Sequence, residues 1–166
     1  MKTRRRDAYQ TALDLLARRD HFKLELVDKL RKRQFAANEI GDAVARCEGL
    51  DLLNDERVAG RFIEVRAADR GWGPHRLAAE LRQRGISSAD ADRLSHLSTD
   101  LAEMAMSTAL RKLEVRAPDE WWRDGQRRAR MVSSLITRGF EAEVAIAAVD
   151  ELAASREKHN HALDDQ

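Results

Sequence analysis

The sequence predicts an all-α fold, an elongated tandem of three three-helix repeats with about nine short helices. Three observations carry the prediction. Apolar residues fall at helical spacing, as in Ala8, Ala12, Leu15 and Leu16, in Leu26, Val27 and Leu30, and in Val58, Phe62 and Val65. Strand formers and helix breakers are scarce: aromatics are 5% of the 166 residues, and prolines are confined to Pro74 and Pro118. The third observation is an internal repeat.

Leu26-x-x-x-Leu30-x-x-Arg33-Gln34-Phe35 can be laid over Leu77-x-x-x-Leu81-x-x-Arg84-Gly85-Ile86 and over Met131-x-x-x-Leu135-x-x-Arg138-Gly139-Phe140. The steps are 51 residues from Leu30 to Leu81 and 54 from Leu81 to Leu135. Gly85 and Gly139 stand where a left-handed residue closes a helix and lets Ile86 or Phe140 pack back on the last turn. Gln34 holds that position in the first unit, where the left-handed conformation costs about 1–2 kcal/mol; a looser helix end is the alternative. A unit of about 50 residues buries its apolar face poorly alone, so neighbours are expected to stack.

Taken in order, residues 1–6 form a basic N-terminal tail with Lys2, Arg4, Arg5 and Arg6, and the first repeat spans 7–50. The second, 51–99, has a helix start at Asp55-Glu56, where acids suit the positive end. In Arg70-Gly71-Trp72-Gly73-Pro74, glycines end one helix and the proline suits the first turn of the next. Ser87 or Ser88 caps the third helix, with Asp90 and Asp92 nearby. The third repeat, 100–153, offers a start at Pro118 before Asp119-Glu120. Residues 154–166 read as a polar C-terminal tail.

Composition excludes several function classes. Thirty basic and twenty-nine acidic residues give +1, so bulk charge declares no nucleic-acid partner and local patches must carry any electrostatic argument. Cys47 is alone, which excludes an internal disulfide framework or cysteine-rich zinc site and suits a reduced, cytoplasmic protein. Asp7, Gln10 and Asp14 interrupt what would be a signal core, and no run approaches the roughly 18 apolar residues of a membrane span. There is no glycine-rich phosphate loop followed by Lys-Ser/Thr. His21, His75 and His96 lack metal-ligand spacing, and His159-Asn160-His161 lies in the polar tail, where weak metal capture is the most it offers. The chain reads as a non-enzyme with no cofactor and no bound metal.

The motifs resemble those of the RecX family, bacterial regulators of the RecA recombinase. The strongest match is Leu52-Leu53-Asn54-Asp55-Glu56-Arg57-Val58-Ala59 with Phe62 and Arg66, followed by Gly71-Trp72-Gly73-Pro74-x-Arg76-Leu77-x-x-Glu80-Leu81-x-x-Arg84-Gly85-Ile86. Upstream, Ala12-Leu13-x-Leu15-Leu16-Ala17-Arg18-Arg19 and Glu25-Leu26-x-x-Lys29-Leu30 continue it, and downstream Leu135-x-x-Arg138-Gly139-Phe140, so it covers most of residues 8–152. Three positions depart from the pattern: Val58 replaces a common aromatic, Gln34 a glycine, and Phe22-Lys23 the usual Ser-Arg. The resemblance implies a curved, elongated modulator that binds RecA filaments on single-stranded DNA and suppresses ATP hydrolysis, recombination and coprotease action; the chain itself is expected to be a monomer. Two other classes remain open: a helical DNA-binding module acting without RecA, and a helical-repeat scaffold for another protein.

Candidate partner-binding residues come from local charge and aromatics. Trp121 to Gly139 holds Arg123, Arg127, Arg128, Arg130 and Arg138 against Asp124, a local net of +4, whereas the stretch after Phe140 carries −5. Lys29, Arg31, Lys32 and Arg33 form a second cluster, and Arg76 and Arg84 lie within the matched block. A solvated face with i,i+4 pairs is the bland reading of each cluster; contact with RecA or with single-stranded DNA phosphate is the sharper one. Arg33, Arg84 and Arg138 recur at one position, either interacting with the helix dipole or forming a row for a periodic partner. Trp121 and Trp122 are adjacent, so one suits the core and the other an interface anchor. Trp72 is expected to pack between helices.

Overall fold

The computed structural model describes residues 7–164, with side chains to residue 161; the basic tail of residues 1–6 lies outside the described residues. Nine α-helices, one 3₁₀ turn and no strand make up the described residues. The first unit holds α1 (Ala8–Leu16), α2 (Lys23–Lys32) and α3 (Ala37–Gly49). The second holds α4 (Asp55–Arg70), α5 (Pro74–Gln83) and α6 (Ser88–Leu94). The third holds α7 (Thr99–Glu114), the 3₁₀ turn Trp121–Arg123, α8 (Gly125–Thr137) and α9 (Ala142–Asp164). The helix α9 runs on through the stretch set apart above as a polar tail.

Local chemistry sets most of the helix starts. Asp7 accepts from the Gln10 amide at 2.7 Å, Asn54 from Arg57 at 3.0 Å and Ser87 from Asp90 at 3.1 Å, each satisfying an amide that has no partner within its helix. No α-helix begins at Pro118. Glu120 turns left-handed with φ 55°, the 3₁₀ turn follows, and the Asp124 carboxylate accepts from Gln126 at 2.8 Å to open α8 at Gly125.

Each unit closes around its own buried cluster. Leu26, Leu30, Ile40, Val44 and Cys47 centre the first; Ile63, Leu77 and Leu81 the second; Trp121, Leu135 and Val149 the third. The units therefore bury more of their own apolar faces than the repeat length alone suggests. Leu97 and Leu101, partly buried, pack against both the second and third clusters, and two buried residues also cross between units. Phe22, just before α2, is buried in the second cluster, and Ala67 of α4 in the third.

The repeated Arg-(Gly/Gln)-apolar motif marks how units dock. Gly85, φ 90°, ends α5 so close to the start of α2 that a β-carbon there would lie 3.0 Å from Leu24 Cβ. Gly139, φ 93°, ends α8 against the start of α5, where a β-carbon would lie 2.3 Å from the Arg76 amide nitrogen. In both cases the turn closing a unit's second helix sits on the first turn of the preceding unit's second helix. Gln34 also adopts the left-handed conformation, φ 63°, so the looser helix end is not used.

The two joints differ. Between the second and third units α4 packs along α7, the Gly73 amide donates to the Arg138 carbonyl at 2.8 Å, and the His75 amide donates to the Gly139 carbonyl at 3.1 Å. Between the first and second units no helix pair packs extensively. Phe22, an Arg61–Asp20 ion pair at 2.5 Å and the Lys23 amide donating to Asp55 at 2.7 Å hold that joint.

Candidate functional site

One face of α4 links two clefts. Val58, Arg61, Phe62, Val65 and Arg66 line a recess of about 870 Å³ between the first and second units. Arg66 and Arg70 line a second, of about 720 Å³, between the second and third. These positions follow the i, i+3, i+4 pattern of a single helix face, and Arg66 belongs to both recesses.

The first cleft carries both signs of charge, six basic side chains against four acidic ones. Among them, Lys29 and Lys32 of α2 and Arg84 just beyond α5 face Glu25, Asp28 and Glu80. Arg84 donates to the Glu80 carbonyl at 2.8 Å and carboxylate at 2.7 Å, with its guanidinium 4.4 Å above the Phe62 ring. Lys29 pairs with Glu25 at 3.5 Å. Burial pushes the Glu25 carboxyl up, but a hydrogen bond from Arg19 and the charges of His21, Arg19 and Lys29 outweigh it and bring it below the ordinary glutamate range. Leu24 and Val65 leave exposed apolar surface at its edge.

The second cleft is cationic throughout. Arg111 and Lys112 of α7 and Arg116 just beyond it face Arg66 and Arg70 of α4, while α5 supplies Arg76 and the end of α8 Arg138. No acidic residue lines the recess. Trp72 stands half-buried among these charges, with the Arg76 guanidinium 4.3 Å and that of Arg66 5.4 Å from its ring centre. The Arg138 guanidinium donates across the joint to the Arg70 carbonyl at 2.9 Å, and Lys112 donates to the Asp69 carbonyl. Burial, together with the charges of Arg116 and Arg76, pushes the Arg138 pKa down.

The fold distributes the remaining sequence candidates elsewhere. Arg31 pairs with Asp28 at 3.4 Å, and Arg33 donates to the Lys29 carbonyl at 2.9 Å. Arg33 and Arg84 thus each bond the carbonyl four residues back, whereas Arg138 reaches the preceding unit. Trp121 is 2% exposed in the third core; Trp122 lies edge-on to it at 6.2 Å, its indole N–H buried without an acceptor among the described residues. Arg123, Arg127 and Arg128 pair with Glu120, Asp124 and Asp150, and Arg130 is exposed. Of the candidates from α8, Arg138 alone lines an inter-unit cleft.

Five cations of the second cleft were absent from the sequence candidates: Arg66, Arg70, Arg111, Lys112 and Arg116. Two signals were present: the i,i+4 pair on α4 and the Arg111-Lys112…Arg116 cluster. They lie about 45 residues apart in sequence, and only the packing of α4 on α7 joins them. Cys47 is fully buried, and burial pushes its thiol up, away from nucleophilic use. Among the described residues no group of three or more His, Cys, Asp or Glu is placed to hold a metal. No described helix is long and apolar enough to cross a membrane.

Comparison with known proteins adds identity to the geometry. Residues 8–47 match the family model for the first three-helix domain of RecX, and residues 54–93 the model for the second. The regulatory protein RecX of Ectopseudomonas mendocina is 36% identical over 136 residues, covering 81% of this chain and 87% of that protein. That of Pseudomonas entomophila is also 36% identical, over 81% and 84%. The crystal structure of RecX from Lactobacillus salivarius superposes with a TM-score of 0.75 at 23% identity, covering 87% of this chain and 94% of the other. A second RecX crystal structure gives 0.70 at 22% identity, covering 89% and 70%; these two likenesses speak to the fold. The sequence relatives carry the argument further, from a shared fold to common descent: this chain belongs to the RecX family of regulatory proteins.

Proposed function

We propose that the chain regulates RecA by binding along its filament on single-stranded DNA and suppressing ATP hydrolysis, strand exchange and coprotease action. Membership of the RecX family is the observation that carries this reading. The tandem build supports it: successive units, taken as 7–50, 51–99 and 100–153, suit a partner that repeats along a helical axis. On this reading the protein is a cytoplasmic monomer that needs no cofactor and performs no catalysis of its own. The edge of the first cleft, with Leu24 and Val65 exposed beside paired charges, has the mixed composition of a protein contact.

The test is RecA ATP hydrolysis on single-stranded DNA while the chain is titrated in at substoichiometric ratios. Inhibition at low ratios, without hydrolysis by the chain itself, is the expected outcome. Val65→Glu is expected to weaken that inhibition while leaving the melting temperature within a few degrees, because the side chain is half-exposed. A folded chain that leaves its cognate RecA unaffected even in excess overturns the proposal.

A further inference from the structure

The second cleft gathers seven cations without a carboxylate within 4 Å of any of them among the described residues. Elsewhere basic side chains are widely paired: Arg57 with Asp51, Arg82 with Asp92 and Arg93 with Glu56. Like charges in one recess repel, and the fold recovers little from them. Only Arg138 and Lys112 bond backbone carbonyls. The side chains of Arg70, Arg111 and Arg116 make no hydrogen bond, ion pair or ring contact among the described residues. An arrangement of this kind is completed by an anion with several charges.

The aromatic at its centre narrows the class of anion. Trp72 has two guanidiniums against it, and its ring is half-buried. Guanidinium planes and nucleobases use the same aromatic surface, so a base can replace an arginine there while that arginine moves to a phosphate. A duplex keeps its bases stacked and away from a recessed indole. An acidic peptide satisfies the charges and leaves the indole without a stacking partner. The volume falls in the range of roughly 300–1,000 Å³ typical of ligand recesses, enough to admit an unstacked base with its flanking phosphates.

We propose that the cleft between the second and third units binds the backbone of single-stranded nucleic acid, with one unpaired base stacked on Trp72 in place of Arg66 or Arg76. Arg70, Arg111 and Arg116 meet phosphates at the rim. The site operates without RecA, so it stands apart from the regulatory reading above.

The experiment titrates the full chain with labelled oligo(dT), without RecA, across a salt series. The expected result is binding that weakens linearly with the logarithm of salt and quenches tryptophan emission. Arg70→Ala with Arg116→Ala should lower the slope magnitude by about 1.4, since each lost single-strand phosphate contact removes about 0.7. Arg82→Ala with Arg93→Ala removes the same charge on the α5–α6 face and should leave the slope unchanged. Trp72→Phe keeps an aromatic for folding, with circular dichroism as the check, and should abolish the quenching while binding weakens by less than in Trp72→Leu, roughly tenfold. The proposal is overturned if the folded chain ignores oligo(dT) at low salt, if both double variants share the wild-type slope, or if quenching persists in Trp72→Phe. Displacement of oligo(dT) by polyglutamate of equal charge, with equal affinity, overturns it in favour of an acidic-peptide site. A chain that inhibits RecA but ignores oligo(dT) sinks this proposal alone; one that binds oligo(dT) as expected but leaves RecA unaffected sinks only the regulatory one.

Discussion

Gln34, Gly85 and Gly139 occupy one position in three units, and only the two glycines are pressed against a neighbour. At Gln34 the left-handed backbone is strained while the side chain is exposed. Gln34→Gly should therefore raise stability by about 0.5–1 kcal/mol, the relieved strain less the added freedom of the unfolded chain, read as a higher urea midpoint at constant slope. Gly139→Ala combines the same strain with a clash on the Arg76 amide and should cost roughly 2–4 kcal/mol. Repetition made the left-handed position legible in the sequence. What it could not supply was the partner surface, because Leu24 and Arg76 belong to the preceding units, far from the glycines they meet.

At the scale of the element, α2 depends on a residue that the sequence reading assigned to α4. Phe22 is its N-cap and offers no side-chain acceptor; Asp55 supplies the bond to Lys23 from the next unit. Asp55→Ala should cost about 1 kcal/mol, as for other lost caps. Burial pushes the Asp55 carboxyl above the ordinary aspartate range. Its ionised form therefore costs stability at neutral pH, and that cost fades as pH falls through the raised pKa towards the ordinary one. Asp55→Asn keeps an acceptor without the charge. It should equal or exceed wild type in chemical denaturation near pH 7, with the difference shrinking as the solution is acidified. Helix existence was legible from apolar period and caps, as at Ser87 and Pro74. The start of α8 was not: Pro118 resembles an opening signal, but the left-handed Glu120 and the Asp124 cap displace it. The cationic cleft was hidden for a related reason, since α4 and α7 each look like an ordinary charged helix until they lie side by side.

Across the whole molecule the unequal joints predict unequal cooperativity. Backbone hydrogen bonds and the α4–α7 contact couple the second and third units, while mainly side chains hold the first. In hydrogen exchange under mild denaturant, the buried amides of α2 and α3 should open earlier, as one block, and those of α4, α5, α7 and α8 later and together. A single exchange block spanning all three units would show that Phe22 and the Arg61–Asp20 pair transmit more than their number suggests. Gln34 adds a consequence of a different kind. In both observed joints a glycine turn provides a seat for the unit before it, and at the head of the array that seat carries a side chain. A surface that fits against Gly85 or Gly139 meets a glutamine side chain at Gln34 instead, so the three equivalent turns present two shapes and not one.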